Sequence, residues 1–379
     1  MNRVFHAKTS SPAINFAIAM AVIYTLLGVT GNSLTIVGLT KDSNLRSQAT
    51  TKFIISLAIS DLLFCTIMMP LNVAYFVLKR EGNFNGFPIE LCRFCTYFYY
   101  AASGVSLFNL LLITINRYIL ICKNSKYCKI YTNFNIGIMI ACIWFLGCGL
   151  IFFPLVGIWG KIGRDIDKYG IKGPSCNILH DENGHNPKMF YMVLAFFLPC
   201  VTIIFCYSAI FLKIKKLQRE LSGMFANLNK KEREDDIRQI KMMLTVFLCF
   251  VFTFLPIGSL NVIDKNSEYA DVEILCHVLW WSSSVINPII YVFRNRHYRK
   301  AIFLLCGVKP TSIGFTHSQS HSQPHAQSNT QSNTQSNTQS HTQSQPKINR
   351  RKSVEEEASR FSFKTFINQD CSSVTTIQT

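Results

Sequence analysis

The chain has 379 residues, of which 49% are hydrophobic and only 16% charged, and 30 are phenylalanine. Two or three soluble domains of that length would need far more polar surface, so the composition excludes an ordinary soluble protein and points to a helical protein with several membrane spans. The formal charge of +17 would fit a nucleic-acid binder in a soluble chain, but here the basic residues sit in short loops beside apolar runs, and no nucleic-acid partner is expected.

A polar stretch, 1–13, leads straight into a span-length apolar segment, so no cleavable signal peptide is expected and 1–13 is read as an extracellular N-terminus. Seven such segments follow in order, at about 14–39, 52–78, 92–119, 134–158, 189–212, 238–262 and 273–292. Each satisfies its backbone internally as a helix, including those carrying Pro70, Pro154, Pro199, Pro256 and Pro288. Lys and Arg in the loops 41–52, 117–132, 213–241 and 294–300 outnumber those on the opposite side about two to one. The positive-inside rule then predicts a multi-pass plasma-membrane protein with its N-terminus outside and its C-terminus in the cytoplasm. The 14 cysteines form no regular framework or metal-ligand spacing. Most lie inside apolar runs, where a thiol is a small buried side chain.

Past the seventh segment, Phe293 to Cys306 is basic and then apolar, too short to span, and reads as an amphipathic helix on the inner surface. Cys306 at its end is either a palmitoylation site or a plain buried thiol. From 307 the composition changes. His317 to Gln345 is a Ser/Gln/Asn/Thr/His tract with a repeated Gln-Ser-Asn-Thr unit and nothing to bury. Its histidines read as a polar spacer rather than a metal site, and 307–379 is predicted to be a disordered cytoplasmic tail. Ser353, after Arg350-Arg351-Lys352, is a candidate site for a basophilic kinase. The fold class expected is an all-α membrane protein: a seven-transmembrane helix bundle over 14–306, ending in the amphipathic helix.

One residue stands out within the spans. From Cys92 to Arg117 a helix runs roughly 37 Å at about 1.5 Å per residue, enough to cross a bilayer, with a cysteine at one face and an arginine at the other. Charge at membrane depth is costly and usually functional, so Arg117 is a functional candidate. The alternative is a side chain that snorkels to the interface.

The motifs extend this reading. Gly31-Asn32 lies in the first segment, Leu57-Ala58-Ile59-Ser60-Asp61 in the second, and Cys92 with Asn116-Arg117-Tyr118 in the third. Trp144 follows in the fourth, Pro199 and Tyr207 in the fifth, Pro256 in the sixth, and Asn287-Pro288-Ile289-Ile290-Tyr291 in the seventh. In that order the chain resembles a rhodopsin-like (class A) G-protein-coupled receptor over all seven spans. Ile115-Asn116-Arg117-Tyr118 with Ile121-Cys122 and Lys126-Tyr127 is similar to two groups: melatonin receptors, and orphan receptors of the moody and trapped-in-endoderm type, which act in cell migration and glial barrier formation. Against the melatonin group, the seventh span keeps Asn-Pro where those receptors have Asn-Ala. Pro154 also replaces a ligand-binding amide, and Ala195 a histidine. The orphan group is favoured. The resemblance implies a receptor and not an enzyme, with an extracellular ligand and with heterotrimeric G proteins, arrestin and membrane lipids as partners.

It also implies site residues. A disulfide is expected between Cys92 and Cys176 in the second outer loop, with Cys95 as the rival partner. In this class Arg117 bonds an acidic neighbour in the inactive state; here that neighbour is the uncharged Asn116. A second restraint would come from Asp236, about 20 residues before Pro256 and so roughly 30 Å down the sixth helix; the alternative is that Glu234, Asp235 and Asp236 are a solvated run. Tyr207 and Tyr291 would re-pair around Arg117 on activation, which gives a coupling set of Asn116, Arg117, Tyr118, Tyr207, Asp236, Asn287, Pro288 and Tyr291. Asp61, a carboxylate mid-span, needs a partner or a proton. Asn32, Ser106, Ser283, Ser284 and Asn287 would complete an oxygen-lined sodium pocket around it, or else Asp61 is neutral and no ion binds; no other cofactor is expected.

At the outer end, Tyr99 stands where amine receptors carry an aspartate, and Trp281 where opsins carry their Schiff-base lysine. Phe254 replaces the usual tryptophan before the sixth-span proline. These changes disfavour charged amines and reject retinal. The ligand pocket is expected among Tyr99, Tyr100, Ser103, Tyr191, Phe254, Asn261, His277 and Trp281, and suits an apolar, amphipathic or lipid-like ligand. A packing or interfacial-belt role is the alternative for these aromatics. A transporter or channel using Asp61 and Arg117 as a relay is opposed by the lack of internal repeats in the spans, and a membrane enzyme by the lack of paired acid, base or nucleophile motifs.

Overall fold

The computed structural model describes residues 10–83, 86–167, 170–180, 184, 187–221, 230–263, 269–294 and 299. All seven expected spans are helices: Ser11–Lys41, Ala49–Arg80, Ile89–Cys122, Asn133–Leu155, Phe190–Lys216, Lys230–Ile263 and Ala270–Arg294, numbered here one to seven. Most of the expected inner-surface helix and the whole tail lie outside the described residues, Cys306 and Ser353 with them. So do the side chains of Asp236 and Asn261.

Several helix ends and breaks follow from single residues. Ser10 caps helix one, its Oγ accepting from the Ala13 amide at 3.3 Å. The Ser10 amide donates to Asp271 Oδ1 at 2.8 Å, joining the outer ends of helices one and seven. Helices two and five each carry one wide turn, over Phe64–Met68 and Val193–Phe197. In both, the residue before a proline reaches back five positions: Met69 to Phe64, then Pro70; Leu198 to Val193, then Pro199. A proline ring clashes with the carbonyl four residues back, and the widened turn gives it room.

Helix seven breaks at Ser282, between Ala270–Trp281 and Ser283–Arg294. Beyond the break, Pro288 cannot donate to the Ser284 carbonyl. Asn32 fills that acceptor instead, its Nδ2 lying 3.0 Å from Ser284 O. Gly31 permits the approach, since a Cβ there would sit 3.1 Å from Pro288.

Helix three occupies the middle, packed on helices two, four and five. Helix four meets it through Gly147, where an added Cβ would lie 2.5 Å from Val105 Cγ2. The Trp144 indole of helix four donates to Ser56 Oγ of helix two at 3.0 Å. The core has one large cluster toward the Arg117 end of the bundle, around Phe53, Leu107, Met243 and Tyr291, and another between helices one, two and seven, around Met68 and Trp281. Outward-facing residues are apolar too, with Phe145 78% and Phe252 68% exposed. A belt of that kind suits hydrocarbon and not water.

One element departs from the all-helical expectation. The second outer loop forms an antiparallel hairpin, β1 (Lys161–Asp167) and β2 (Gly170–Leu179), with Lys161 opposite Leu179 and Arg164 opposite Cys176. A disulfide joins Cys176 to Cys92 at the outer end of helix three, and Cys95 is a free thiol. The hairpin is further fixed by Thr96 Oγ1 donating to Cys176 O at 3.2 Å and by Arg93 Nε donating to Ile162 O at 3.1 Å.

Candidate functional site

Three polar layers lie along the bundle axis. In the middle one, Asp61 of helix two is buried, at 2% exposure. Asn287 Nδ2 donates to its Oδ2 at 2.8 Å and Ser106 Oγ to its Oδ1 at 3.4 Å, with Ser284 beside it. Ser60 lies 3.4 Å from Ser106. Asn32 donates to the Gly28 and Ser284 carbonyls, which leaves its buried Oδ1 without a hydrogen-bond partner; the buried Oδ1 of Asn109 is likewise unpartnered. The structure thus gathers Asn32, Asp61, Ser106, Ser284 and Asn287. Ser283 is only half-buried, and among the described residues it makes no hydrogen bond to the carboxyl.

The layer at the far end of helix three from the disulfide is built on Asn116 and Arg117, 0% and 6% exposed. Arg117 Nη2 donates to Gln239 Oε1 of helix six. Gln239 lies one helical turn beyond the expected Asp236, on the same helix face. Asn116 turns away from Arg117: its Oδ1 accepts from Thr50 Oγ1 at 2.6 Å, and its Nδ2 donates to the Tyr127 hydroxyl at 3.3 Å. Burial pushes the Tyr127 phenol up in pKa, so it stays protonated. Tyr207 is buried with its hydroxyl toward Thr114 and Arg117, and Tyr291 is buried with 1% exposure. Tyr118 points instead toward helix five, its ring 6.3 Å from that of Phe205.

The outer layer holds two chambers where the sequence suggests one pocket. The first, about 1040 Å³ counting its open mouth, lies between helices two, three and seven and is lined by Tyr99, Tyr100, His277 and Trp281. It also takes in Asn72, Lys79 and Glu273, which the aromatic pattern did not reveal. The second, about 860 Å³, lies between helices three, four, five and six and is lined by Tyr100, Ser103, Tyr191 and Phe254, with Ile178 of the hairpin. Trp280 and Tyr100 border both. Trp280 packs edge-on against Tyr99 at 4.1 Å and against Phe254 at 5.4 Å, while Phe254 stacks on Phe196 at 4.2 Å. Helix six thus forms one wall of the second chamber, through Phe250, Phe254, Ile257 and Gly258. Lys188 borders this chamber; burial lowers its pKa, against the opposing pull of Glu273.

The family model for the 7 transmembrane receptor (rhodopsin family) matches residues 31–291, which takes in all three layers. Protein trapped in endoderm-1 of Drosophila melanogaster is 37% identical over 310 residues, 76% of each chain. The G-protein coupled receptor moody of the same organism is 32% identical over 352 residues, 77% of this chain and 51% of moody. Squid rhodopsin shares the fold at a TM-score of 0.65 and 20% identity, over 79% of this chain and 87% of its own. A buried arginine tied to helix six, a buried carboxyl packed on the Asn-Pro break, and a disulfide-tethered hairpin at the outer end thus sit within a matched sequence. The chain belongs to the rhodopsin family of G-protein-coupled receptors, in the group that includes moody and trapped in endoderm-1.

Proposed function

We propose that the chain acts in the plasma membrane, with its N-terminus outside and its tail in the cytoplasm, as a receptor for an apolar or amphipathic ligand. Binding in the two chambers moves helix six through Phe254 and releases Arg117 from Gln239 toward a heterotrimeric G protein. The observation that carries this is the bond between Arg117 and Gln239, because the cytoplasmic ends of helices three and six cannot separate without breaking it. Tyr207 stands ready to receive the freed guanidinium. Arrestin would compete for the same cytoplasmic cleft, and the Lys and Arg at the inner helix ends, Lys41 and Lys216 among them, would meet anionic lipid. The resemblance to the moody and trapped-in-endoderm group supports a role for this signalling in cell migration or barrier formation.

Sodium fits the middle layer. The Asp61 carboxyl, the Ser106 and Ser284 hydroxyls and the unpartnered Asn32 Oδ1 are all hard oxygen donors beside one another. When bound, the ion would offset the buried charge of Asp61 and hold helices two, three and seven together. The receptor reading is tested by Arg117→Ala: agonist-free and ligand-driven G-protein activation should fall to background at unchanged surface expression. Coupling that persists in this variant would reject the role of Arg117.

A further inference from the structure

Among the described residues that line the two chambers, four buried side-chain atoms have no hydrogen-bond partner: Asn72 Nδ2, Tyr99 OH, Tyr191 OH and Trp281 Nε1. All are donors, and the amide and indole nitrogens can be nothing else. The Tyr99 hydroxyl and the Trp281 indole come close to each other without reaching hydrogen-bond geometry. Even if they paired, the indole would donate to the phenol oxygen and the phenol proton would still need an acceptor. Unpaired buried donors are costly, so their concentration in one place marks where a bound group accepts them.

The chemistry of the outer chamber selects further. Its lining carries both Lys79 and Glu273, with Asp271 also acting on Lys79, so charge alone favours neither sign, but an ammonium head offers no acceptor to the unpartnered donors. The second chamber is apolar along Leu107, Ile151, Phe196 and Phe254, and its Ser103 hydroxyl is already used, donating to Tyr99 O at 2.9 Å. Donors at the outer end and an apolar channel past Trp280 and Tyr100 together describe a molecule with an oxygen head and a hydrocarbon body.

We propose that the two chambers together take a single-chain amphiphile whose carboxylate or carboxamide oxygen accepts from Asn72, Tyr99 and Trp281, and whose chain passes Trp280 into the apolar chamber. This rests on the receptor reading for the place of binding and adds the chemistry of the ligand. The test uses the full-length receptor in lipid nanodiscs with three probes of one chain length: dodecanoate, dodecanamide and dodecylamine. Dodecanoate and dodecanamide raise the thermal midpoint of the wild type, and dodecylamine does not. Tyr99→Phe keeps its ring and Trp281→Phe keeps an aromatic side chain of smaller size, and each removes one donor. Tyr99→Phe folds at least as well as the wild type without a probe, Trp281→Phe has a lower midpoint for the volume it loses, and each weakens dodecanoate by about tenfold relative to its own probe-free state. Equal response to the amine, no response to dodecanoate, or undiminished binding by both ring variants overturns the proposal. Wild-type G-protein activation without any probe is scored separately, so a receptor that couples but ignores dodecanoate rejects the ligand chemistry alone.

Discussion

At Asn116 an amide stands beside an arginine and does not engage it. Its oxygen is used by Thr50 and its nitrogen by Tyr127, so the side chain fastens helix three to helix two and to the inner loop. An aspartate there would still accept from Thr50, and the protonated Tyr127 hydroxyl would turn from acceptor to donor. The added negative charge would then lie next to Arg117. Asp61 is the other residue whose surroundings define its chemistry. Asn287 and Ser106 donate to its carboxyl with Ser284 beside it, and buried carbonyl oxygens of Asn32 and Asn109 have no partner among the described residues. If sodium completes this layer, the thermal midpoint of the purified wild type rises with sodium chloride relative to choline chloride. Above the dissociation constant, each tenfold step in sodium adds about 1.4 kcal/mol. Asp61→Asn removes the dependence, and a variant that responds to sodium as the wild type does would move the ion elsewhere.

At the scale of the helix, proline and glycine do most of the shaping. Pro70 and Pro199 each follow a widened turn, and Pro288 frees the carbonyl that Asn32 takes. Gly147 lets helix four close on helix three, with a virtual Cβ 2.5 Å from Val105 Cγ2 and 3.0 Å from its backbone nitrogen. Gly147→Leu must push the two helices apart and should cost about 1–3 kcal/mol, read as a lowered thermal midpoint; Gly149→Leu, with open space around its Cβ, should change it little. The seven helices were legible because each is a long apolar run, which no fold in water accommodates. The hairpin was not, because the 160–188 loop has no strict alternation, and its pairing depends on the tether from Cys176 to Cys92. The division of the pocket was hidden for a similar reason: it arises from the packing of Trp280 against Tyr99 and Phe254, residues far apart in sequence. Spacing along helix six located the turn that faces Arg117; Gln239 on that turn accepts from it, and the Asp236 side chain lies outside the described residues.

For the whole molecule, signalling is an equilibrium between packed and separated cytoplasmic helix ends. A hydrogen bond to a charged group contributes about 1.5–3 kcal/mol, and 1.4 kcal/mol is a tenfold change in a small active population. One such bond between helices three and six is therefore enough to set basal activity. On the proposed reading, ligand and G protein act on one element, helix six, through Phe254 and Gln239. Agonist-free G-protein activation at matched surface expression, comparing the wild type with Gln239→Ala and Asn116→Asp, tests this most directly. The account predicts that Gln239→Ala raises basal activation about tenfold and that Asn116→Asp lowers it. Basal activation in Gln239→Ala equal to or below that of the wild type would contradict it.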